Sequence, residues 1–199
     1  MTQEQMSLEQ FNARRGHSNL GMDFQRMLDH AHDEYRERGY GRMQRNEQKW
    51  EYTSRRRAES FPPERRARTG HGRDMIRVKS DPDYAGGLLG RYYTFDAKEF
   101  SGTSIPLSNF DRAQVENLCA SERGRCVAGF MVYSKDTAQV FFVRASQVRD
   151  AQDLVLHQGK GRGKNPKSFN REWLIENAVQ IGVFHTGQPV LWLEVLGAK

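Results

Sequence analysis

The sequence is poor in cysteine and has no long apolar run. Its 199 residues include only two cysteines, Cys119 and Cys126. Neither has a second cysteine or a histidine at the spacing of zinc ligands, so a disulfide scaffold and a structural zinc site both lack support. No stretch approaches the ~18 apolar residues of a membrane-spanning helix, and the first ten residues lack the order of a secretory signal. We therefore expect a cytoplasmic protein without a membrane span.

Two further kinds of site find little support in the sequence. His30 and His32 lie two residues apart on a predicted helix and point to different faces, and the other histidines are isolated, which argues against a histidine metal site or nucleophile. The stretch GKGRGKNPK, residues 159–167, alternates glycine with basic residues but lacks the Gly-Lys-Ser/Thr order of a phosphate-binding P-loop. We interpret it as a flexible basic loop.

The charge of the chain favours a polyanionic partner. The net charge is +6, and 23 of the 31 basic residues are arginine, whose planar fork suits phosphate oxygens better than a lysine ammonium does. Residues 55–79 contain nine basic residues against three acidic ones, an excess as large as that of the whole chain. Because this segment also holds two prolines and two glycines, it is typical of a protruding loop or hairpin. A solvated charge run without function is the alternative interpretation, and an anionic membrane is the weaker partner.

Apolar periodicity predicts an α/β core. A helix is indicated from about Phe24 to Tyr35, ending near Gly39, and a strand from Leu89 to Phe100. A second helix begins at Asn109 or Asp111; further expected elements are two strands at 126–133 and 138–143, a short helix near 170–178 and a last strand around 190–195. The order of helices and strands predicts a mixed sheet. We divide the chain into a flexible arm (1–19) and a single domain (20–199) with a basic insertion at 53–75.

The most informative stretch is SDPDYAGGLLGRYYTFDAKE, residues 80–99. Asp83 precedes a glycine-containing turn, and thirteen residues later Asp96 and Lys98 occupy alternate positions of the predicted strand, on one face. Two carboxylates brought together can hold a hard divalent cation through oxygen ligands, and a lysine beside them can orient a water or stabilise charge on a phosphate. This pattern favours phosphodiester cleavage. A surface strand with a salt bridge between alternate residues is the alternative.

The surroundings of this pattern resemble a known family. The run G-x-Y-Y-x-F-D-A-K-E, followed by SIPLSNF and a helix with Gln114, resembles the RecU-type Holliday junction resolvases, a branch of the PD-(D/E)xK nuclease superfamily. RRGHSNLGMDFQRML near the amino terminus resembles the family's arm and first helix, and KSFNREWLIENA from Lys167 resembles its late motif. The resemblance covers most of the chain except residues about 40–75. It implies a restriction-endonuclease-like α/β core, with a mixed central sheet flanked by helices and a protruding basic stalk.

The resemblance also assigns roles to single residues. It makes Asp83 and Asp96 metal ligands together with the carbonyl oxygen of Ala97, Lys98 the catalytic lysine, and Gln114 a catalytic-site glutamine on the following helix. The implied cofactor is Mg²⁺, with Mn²⁺ able to substitute. The candidate DNA-binding residues are basic and lie in the arm, the insertion and the late loop: Arg14, Arg15, Arg55, Arg56, Arg57, Arg65, Arg66, Arg68, Lys160, Arg162, Lys164 and Lys167.

Two positions depart from the family pattern. Asp96 stands where the family usually has glutamate, which shortens the side chain by one methylene but keeps its charge. Gln25 stands where the first helix of relatives offers a glutamate toward the metal; its amide oxygen can coordinate but carries no charge. Asp29, one helical turn farther on, is a candidate to compensate.

The implied function is a metal-dependent endonuclease that resolves four-way DNA junctions in recombination and repair. The implied protein is a homodimer associated with the nucleoid, and a recombinase is a further candidate partner. Two alternatives remain open. One is a junction-binding recombination factor with little or no activity, suggested by Gln25, and the other is a nuclease for flaps or forks.

Overall fold

The computed structural model describes most of the chain. The described ranges are 22–46, 49–53, 66–68, 74–78, 81–157, 167–185 and 188–197. In the three short ranges between 49 and 78, only the backbone is described. The predicted arm and residues 159–166 of the predicted basic loop lie outside these ranges. Within them, no helix is long and apolar enough to cross a bilayer.

The chain contains five α-helices and eleven strands in its described part. The helices are α1 (Met22–Glu37), α2 (Arg112–Arg123), α3 (Ala145–His157), α4 (Arg171–Asn177) and α5 (Leu193–Leu196), with a 3-10 turn at Leu107–Asn109. The strands are β1 (Gly41–Arg45), β2 (Lys49–Thr53), β3 (Arg66–Arg68), β4 (Asp74–Val78), β5 (Tyr84–Leu88), β6 (Arg91–Phe100), β7 (Ser104–Pro106), β8 (Val127–Ser134), β9 (Gln139–Arg144), β10 (Ser168–Asn170) and β11 (Val179–Val183).

Six of these strands form a mixed central sheet in the order β1-β5-β6-β8-β9-β11. Strands β6 and β8 run parallel, and the other neighbours in this sheet run antiparallel. The parallel pair requires a crossover, which β7, the 3-10 turn and α2 supply. The predicted α/β class with helices flanking a mixed sheet is therefore confirmed.

Each face of the central sheet carries its own core. Tyr93 and Phe95 of β6 point into one core, where α1 and α5 pack against the sheet. The opposite face is covered by α2 and α3, with Phe130 and Val132 of β8 at its centre. Asp96 of β6 is fully buried. Asp96 and Lys98 occupy alternate positions of this strand, as predicted from the sequence.

A glycine allows the edge of the sheet to close. A Cβ atom on Gly86 of β5 would lie 2.1 Å from the carbonyl oxygen of Arg42 in β1. Any larger residue there would push β1 away from β5. The pairing of β1 with β5 also places Asn46, just after β1, next to Asp83, just before β5, and the Asn46 N–H donates to the Asp83 carbonyl.

A separate three-stranded sheet overlaps the basic insertion predicted at 53–75: β3 lies within it, β2 ends at Thr53 and β4 begins at Asp74. Its order is β2-β4-β3, and both pairs are antiparallel. Arg66 and Arg68 lie on β3, whereas Arg55, Arg56, Arg57 and Arg65 lie outside the described residues. The sequence predicted a loop or hairpin here, and the third strand was not foreseen.

The predicted last strand, around 190–195, is wrong. Trp192 instead leads into the short helix α5, and Leu193 and Leu196 face the first core at helical spacing. The sheet position beside β9 is taken by β11, which the sequence analysis missed. Glycine at position 182, with φ +155°, coincides with a register shift in that strand.

One histidine of α1 is a core residue. His32 is 7% exposed, and its Nε2 accepts a hydrogen bond of 3.2 Å from the indole N–H of Trp192. Rings of Tyr84 and Phe95 surround it. Burial lowers the pKa of His32 to about 3, so the imidazole is neutral near neutral pH.

Acid is expected to destabilise the fold through this histidine. Below pH 6.5 the unfolded chain protonates His32 while the folded chain does not, down to a pKa of about 3. The free energy of unfolding therefore falls as pH falls, by about 2 kcal/mol between pH 6.5 and 5 from this group. His32→Asn keeps an acceptor for Trp192 but does not titrate. Denaturant unfolding at several pH values should give a shallower dependence for this variant, and parallel curves would contradict the assignment.

Candidate active site

Two aspartates lie side by side where β5 meets β6. The backbone N–H of Asp83 donates to Oδ1 of Asp96 at 2.8 Å, and the backbone N–H of Ala97 donates to Oδ2 of Asp83 at 3.0 Å. Each carboxylate thus uses one oxygen to fix the backbone at or next to the other aspartate. These reciprocal bonds hold the two acidic side chains together although thirteen residues separate them.

The pair sits at the point where the sheet opens. The ladder between β5 and β6 ends at Tyr84 and Phe95, whereas β6 continues beside β8 as far as Phe100. Beyond Phe95 the β5 side of β6 therefore lacks a strand, and the carboxylate of Asp83 receives the Ala97 N–H in its place. Backbone groups need such partners when they leave a ladder.

Lys98 lies next to the carboxylates. Its Nζ is 3.7 Å from Oδ2 of Asp96 and 6.0 Å from the centre of the Phe130 ring. The lysine side chain is 20% exposed, while that of Asp96 is 0% exposed. The ammonium therefore links a buried carboxylate to the protein surface, which is the position from which a cation can reach a phosphate in solvent.

Gln114 completes this group from the helix that follows the crossover. Its Oε1 lies 3.4 Å from Nζ of Lys98. Helix α2 is fixed at its start because Asp111 caps it, accepting from the N–H of Ala113 at 2.9 Å. The structure thus brings together four residues that the sequence proposed for the site: Asp83, Asp96, Lys98 and Gln114.

Gln25 is engaged by an arginine from β1. Its Oε1 accepts from Nη2 of Arg45 at 2.6 Å, and the same guanidinium donates to Oδ2 of Asp29 at 3.0 Å. The hydroxyl of Tyr84 donates to Oδ1 of Asp29 at 2.9 Å, and burial together with that carboxylate raises the pKa of Tyr84, which keeps the hydroxyl protonated. Gln25 and Asp29 therefore belong to a network one residue away from Asp83.

Asn46, which no sequence pattern indicated, holds the loop that carries Asp83. The Asn46 backbone N–H donates to the carbonyl of Asp83 at 2.8 Å, and its side-chain amide donates to the carbonyl of Pro82 at 2.7 Å. No spacing signal could have indicated it, since the partners lie 36 residues apart.

Glu99 fastens the first helix to the strand of the site. Its Oε1 accepts from the backbone N–H of Phe24 at 3.1 Å, in the first turn of α1, and its Oε2 lies 2.7 Å from Nζ of Lys135. A carboxylate is favourable at that end of a helix. Glu99 thus sets the position of α1, including Gln25, relative to β6.

The oxygen-rich character of the pair fits a hard divalent cation. Each carboxylate uses one oxygen for a backbone N–H and carries a second oxygen beside it. Among the described residues no group of three or more His, Cys, Asp or Glu side chains is arranged to hold a metal. A cation here would therefore rely on the two aspartates together with backbone or solvent oxygens, the kind of ligand set that Mg²⁺ accepts.

The candidate DNA-binding residues fall mostly outside the described ranges. Arg14, Arg15, Arg55, Arg56, Arg57, Arg65, Lys160, Arg162 and Lys164 lie there. Lys167 is exposed, and its carbonyl accepts from the N–H of Leu107 at 2.9 Å, at the foot of the crossover. Its role in DNA binding stays a prediction.

Comparison with known proteins identifies the family. The family model described as Recombination protein U, RecU, matches residues 19–196. This chain belongs to the RecU family. The match includes Gln25, Asp83, Asp96, Lys98 and Gln114.

The curated relatives agree with this family. The Holliday junction resolvase RecU of Streptococcus pneumoniae strain Taiwan19F-14 is 26% identical over 172 residues, 84% of this chain and 79% of the relative. The Holliday junction resolvase RecU of strain CGSP14 is 25% identical over 172 residues, again 84% of this chain and 79% of the relative. The RecU resemblance recognised in the sequence is thereby confirmed.

Proposed function

We propose that this protein is a Holliday junction resolvase, a structure-selective endonuclease that nicks opposed strands of four-way DNA junctions. The proposal rests on one observation. In this chain of the RecU family, Lys98 lies beside the neighbouring carboxylates of Asp83 and Asp96. Relatives over most of the chain bear the name Holliday junction resolvase.

Mg²⁺ is the proposed cofactor, and Mn²⁺ should replace it. Asp83 and Asp96 would hold the ion, and the carbonyl of Ala97 is the proposed third protein ligand. The N–H and C=O of a strand residue point to the same side, and the Ala97 N–H points to Asp83. The ion would supply a Lewis acid for the phosphoryl oxygen and charge neutralisation at the leaving group.

The chain's own side chains have separate tasks in this proposal. The Lys98 ammonium places positive charge where a scissile phosphate gains negative charge. The buried carboxylate of Asp96 pairs with the Lys98 ammonium, and the side-chain oxygen of Gln114 on α2 accepts a hydrogen bond from it. Together they hold the ammonium in position. The amide of Gln114 remains available as a donor to a phosphate oxygen.

DNA selection would rest on shape and phosphate placement. Basic residues of the arm, the insertion and the late loop would bind the backbone, which positions DNA without reading its sequence. A homodimer would present two active sites related by a two-fold axis, matching the symmetry of a junction. A recombinase is a further proposed partner, and the nucleoid is the proposed location.

A second candidate is a junction-binding factor with weak activity. The observation that favours it is the bond from Arg45 to the amide oxygen of Gln25, because that oxygen is then directed to a cation of the protein. If a third carboxylate is needed at the site, this chain lacks it on α1 at position 25.

The test compares cleavage of a synthetic four-way junction, a linear duplex of the same sequence and a flapped duplex, with and without Mg²⁺. A resolvase should nick the junction at least about tenfold faster than the other two substrates and only with the metal. Preference for the flap would favour the nuclease alternative. Tight junction binding without cleavage would favour the binding factor.

A further inference from the structure

A small cavity lies at the end of the central sheet, away from the aspartate pair. It has a volume of about 250 Å³ and lies where β6 and β8 begin and β9 ends. Three arginines line it: Arg91 at the start of β6, Arg125 just before β8, and Arg144 at the end of β9. All three are exposed residues.

One carboxylate lines this cavity among the described residues, and it already has partners. Glu122 accepts from the backbone N–H of Ser146 at 3.0 Å and from the Ser146 hydroxyl at 3.2 Å, which caps the first turn of α3. The cavity rim therefore has a formal excess of positive charge. Charge of this kind in a concave surface attracts anions.

The three arginines differ from several other arginines of the described surface, which are paired with carboxylates. Arg36, Arg38, Arg45, Arg112 and Arg149 each form a salt bridge with an aspartate or glutamate. In the described part of the chain, no carboxylate forms a salt bridge with Arg91, Arg125 or Arg144. Their positive charge is therefore not neutralised there and can attract an anionic ligand.

The backbone at one of these positions is unusual. Arg125 has φ +66°, in the left-handed region that glycine or asparagine adopts more readily. Hydrogen bonds from its own N–H to the carbonyl of Glu122 and from the Cys126 N–H to the carbonyl of Ser121 fix this turn after α2. The turn thus presents a charged side chain at a place where a smaller residue would be the easier choice.

We propose that this cavity binds a backbone phosphate of DNA, on a different arm from the one being cut. The proposal rests on the proposed junction function. Arg91 is five residues before Asp96 on the same strand, so the two sites are about 17 Å apart along β6. Val127, Phe142 and Leu196, which also line the cavity, belong to the core on the face opposite Phe130, and Ala128 of the lining belongs to the core on the Phe130 face.

This geometry favours branched over linear DNA. Lys98 lies on the Phe130 face of the sheet and the cavity lies at the far end of the other face, so we expect one straight duplex not to contact both. A junction sends arms in several directions from one point, and a second arm can meet the cavity. We call Arg91, Arg125 and Arg144 the second-arm site.

The experiment measures binding with Ca²⁺ in place of Mg²⁺ for junction and linear duplex over a range of salt concentrations. Changing all three second-arm residues to alanine should weaken junction binding. It should also lower the slope of log affinity against log salt by about 0.9 for each phosphate that the protein no longer neutralises. Linear duplex should be weakened less. Changing the three residues to lysine keeps the charge and should keep the slope.

The matched control changes Arg36, Arg38 and Arg149 to alanine, which removes the same charge from residues that are paired with carboxylates. Three results would each overturn the inference. The second-arm alanine variant could keep the wild-type salt slope on the junction, or lose as much affinity for duplex as for junction. The control variant could lose as much junction affinity as the second-arm variant does. Cleavage of the junction by the wild-type protein is measured separately, with Mg²⁺. Absent junction cleavage would refute the proposed function, while the binding result would still decide whether the cavity contacts phosphate.

Discussion

Alanine at Asp83, Asp96 or Lys98 should reduce junction cleavage at least about 10³-fold, because each change removes a charge that the proposed chemistry needs at the phosphate. Binding of the junction in Ca²⁺ should stay near the wild-type level, since most of the proposed backbone contacts lie in the arm, the insertion and the late loop, and Lys98 meets only the scissile phosphate. Single-turnover cleavage with protein in excess measures the rate, and a gel-shift titration measures the binding.

Conservative variants separate chemistry from folding at these positions. Asp96→Asn keeps an oxygen that can accept from the Asp83 N–H but removes the charge, and it should be as inactive as the alanine variant. Lys98→Met keeps the length of the lysine side chain and should also be inactive. Asp153→Asn and Arg36→Met each remove one charge outside the site, serve as controls and should retain cleavage. Wild-type rates in Asp83→Ala or Asp96→Ala would refute the assignment.

The basic insertion should be responsible for preference toward the branch point. Changing Arg65, Arg66 and Arg68 to alanine should lower affinity more for a four-way junction than for linear duplex, because four backbones converge at the junction centre and concentrate negative potential there. The junction salt slope should fall by about 0.9 for each phosphate that these arginines neutralise. Competition titrations with both substrates at several salt concentrations measure the two effects.

Two outcomes would contradict this role of the insertion. Equal weakening on junction and duplex would mean that the arginines attract DNA in general without reading the branch. Unchanged affinity for both substrates would mean that the segment is a solvated charge run. The triple variant of Arg36, Arg38 and Arg149 removes the same charge elsewhere and should affect neither substrate.

Local periodicity was enough to predict the elements on which the site is built. The alternation of Tyr93 and Phe95 with Asp96 and Lys98 correctly assigned opposite faces of β6, because strand side chains alternate irrespective of neighbours. The apolar spacing of α1 likewise predicted its buried stripe. In both cases one element contains the whole signal.

Interactions between distant segments could not be predicted in this way. The bond from Asn46 to Pro82 and those from Arg45 to Gln25 and Asp29 depend on β1 pairing with β5. That pairing depends on the absence of a side chain at Gly86. Nothing in the residues around 41–46 indicates these partners.

The end of the chain was predicted wrongly for a related reason. Residues 190–195, VLWLEV, contain a short apolar run that is compatible with a buried strand, but β11 already occupies the sheet beside β9. The segment instead forms a turn of helix that Tyr35 holds through a bond from the Leu193 N–H to its hydroxyl. Tertiary packing overrode a weak local preference.

The most direct measurement maps the nicks made in a four-way junction labelled on each strand in turn. We expect Mg²⁺-dependent nicks at symmetric positions on two opposed strands, both absent with Lys98→Met and present with Arg36→Met. Nicks on a single strand, nicks that persist in Lys98→Met, or equal cutting of linear duplex would contradict an active site built from Asp83, Asp96 and Lys98 that resolves junctions.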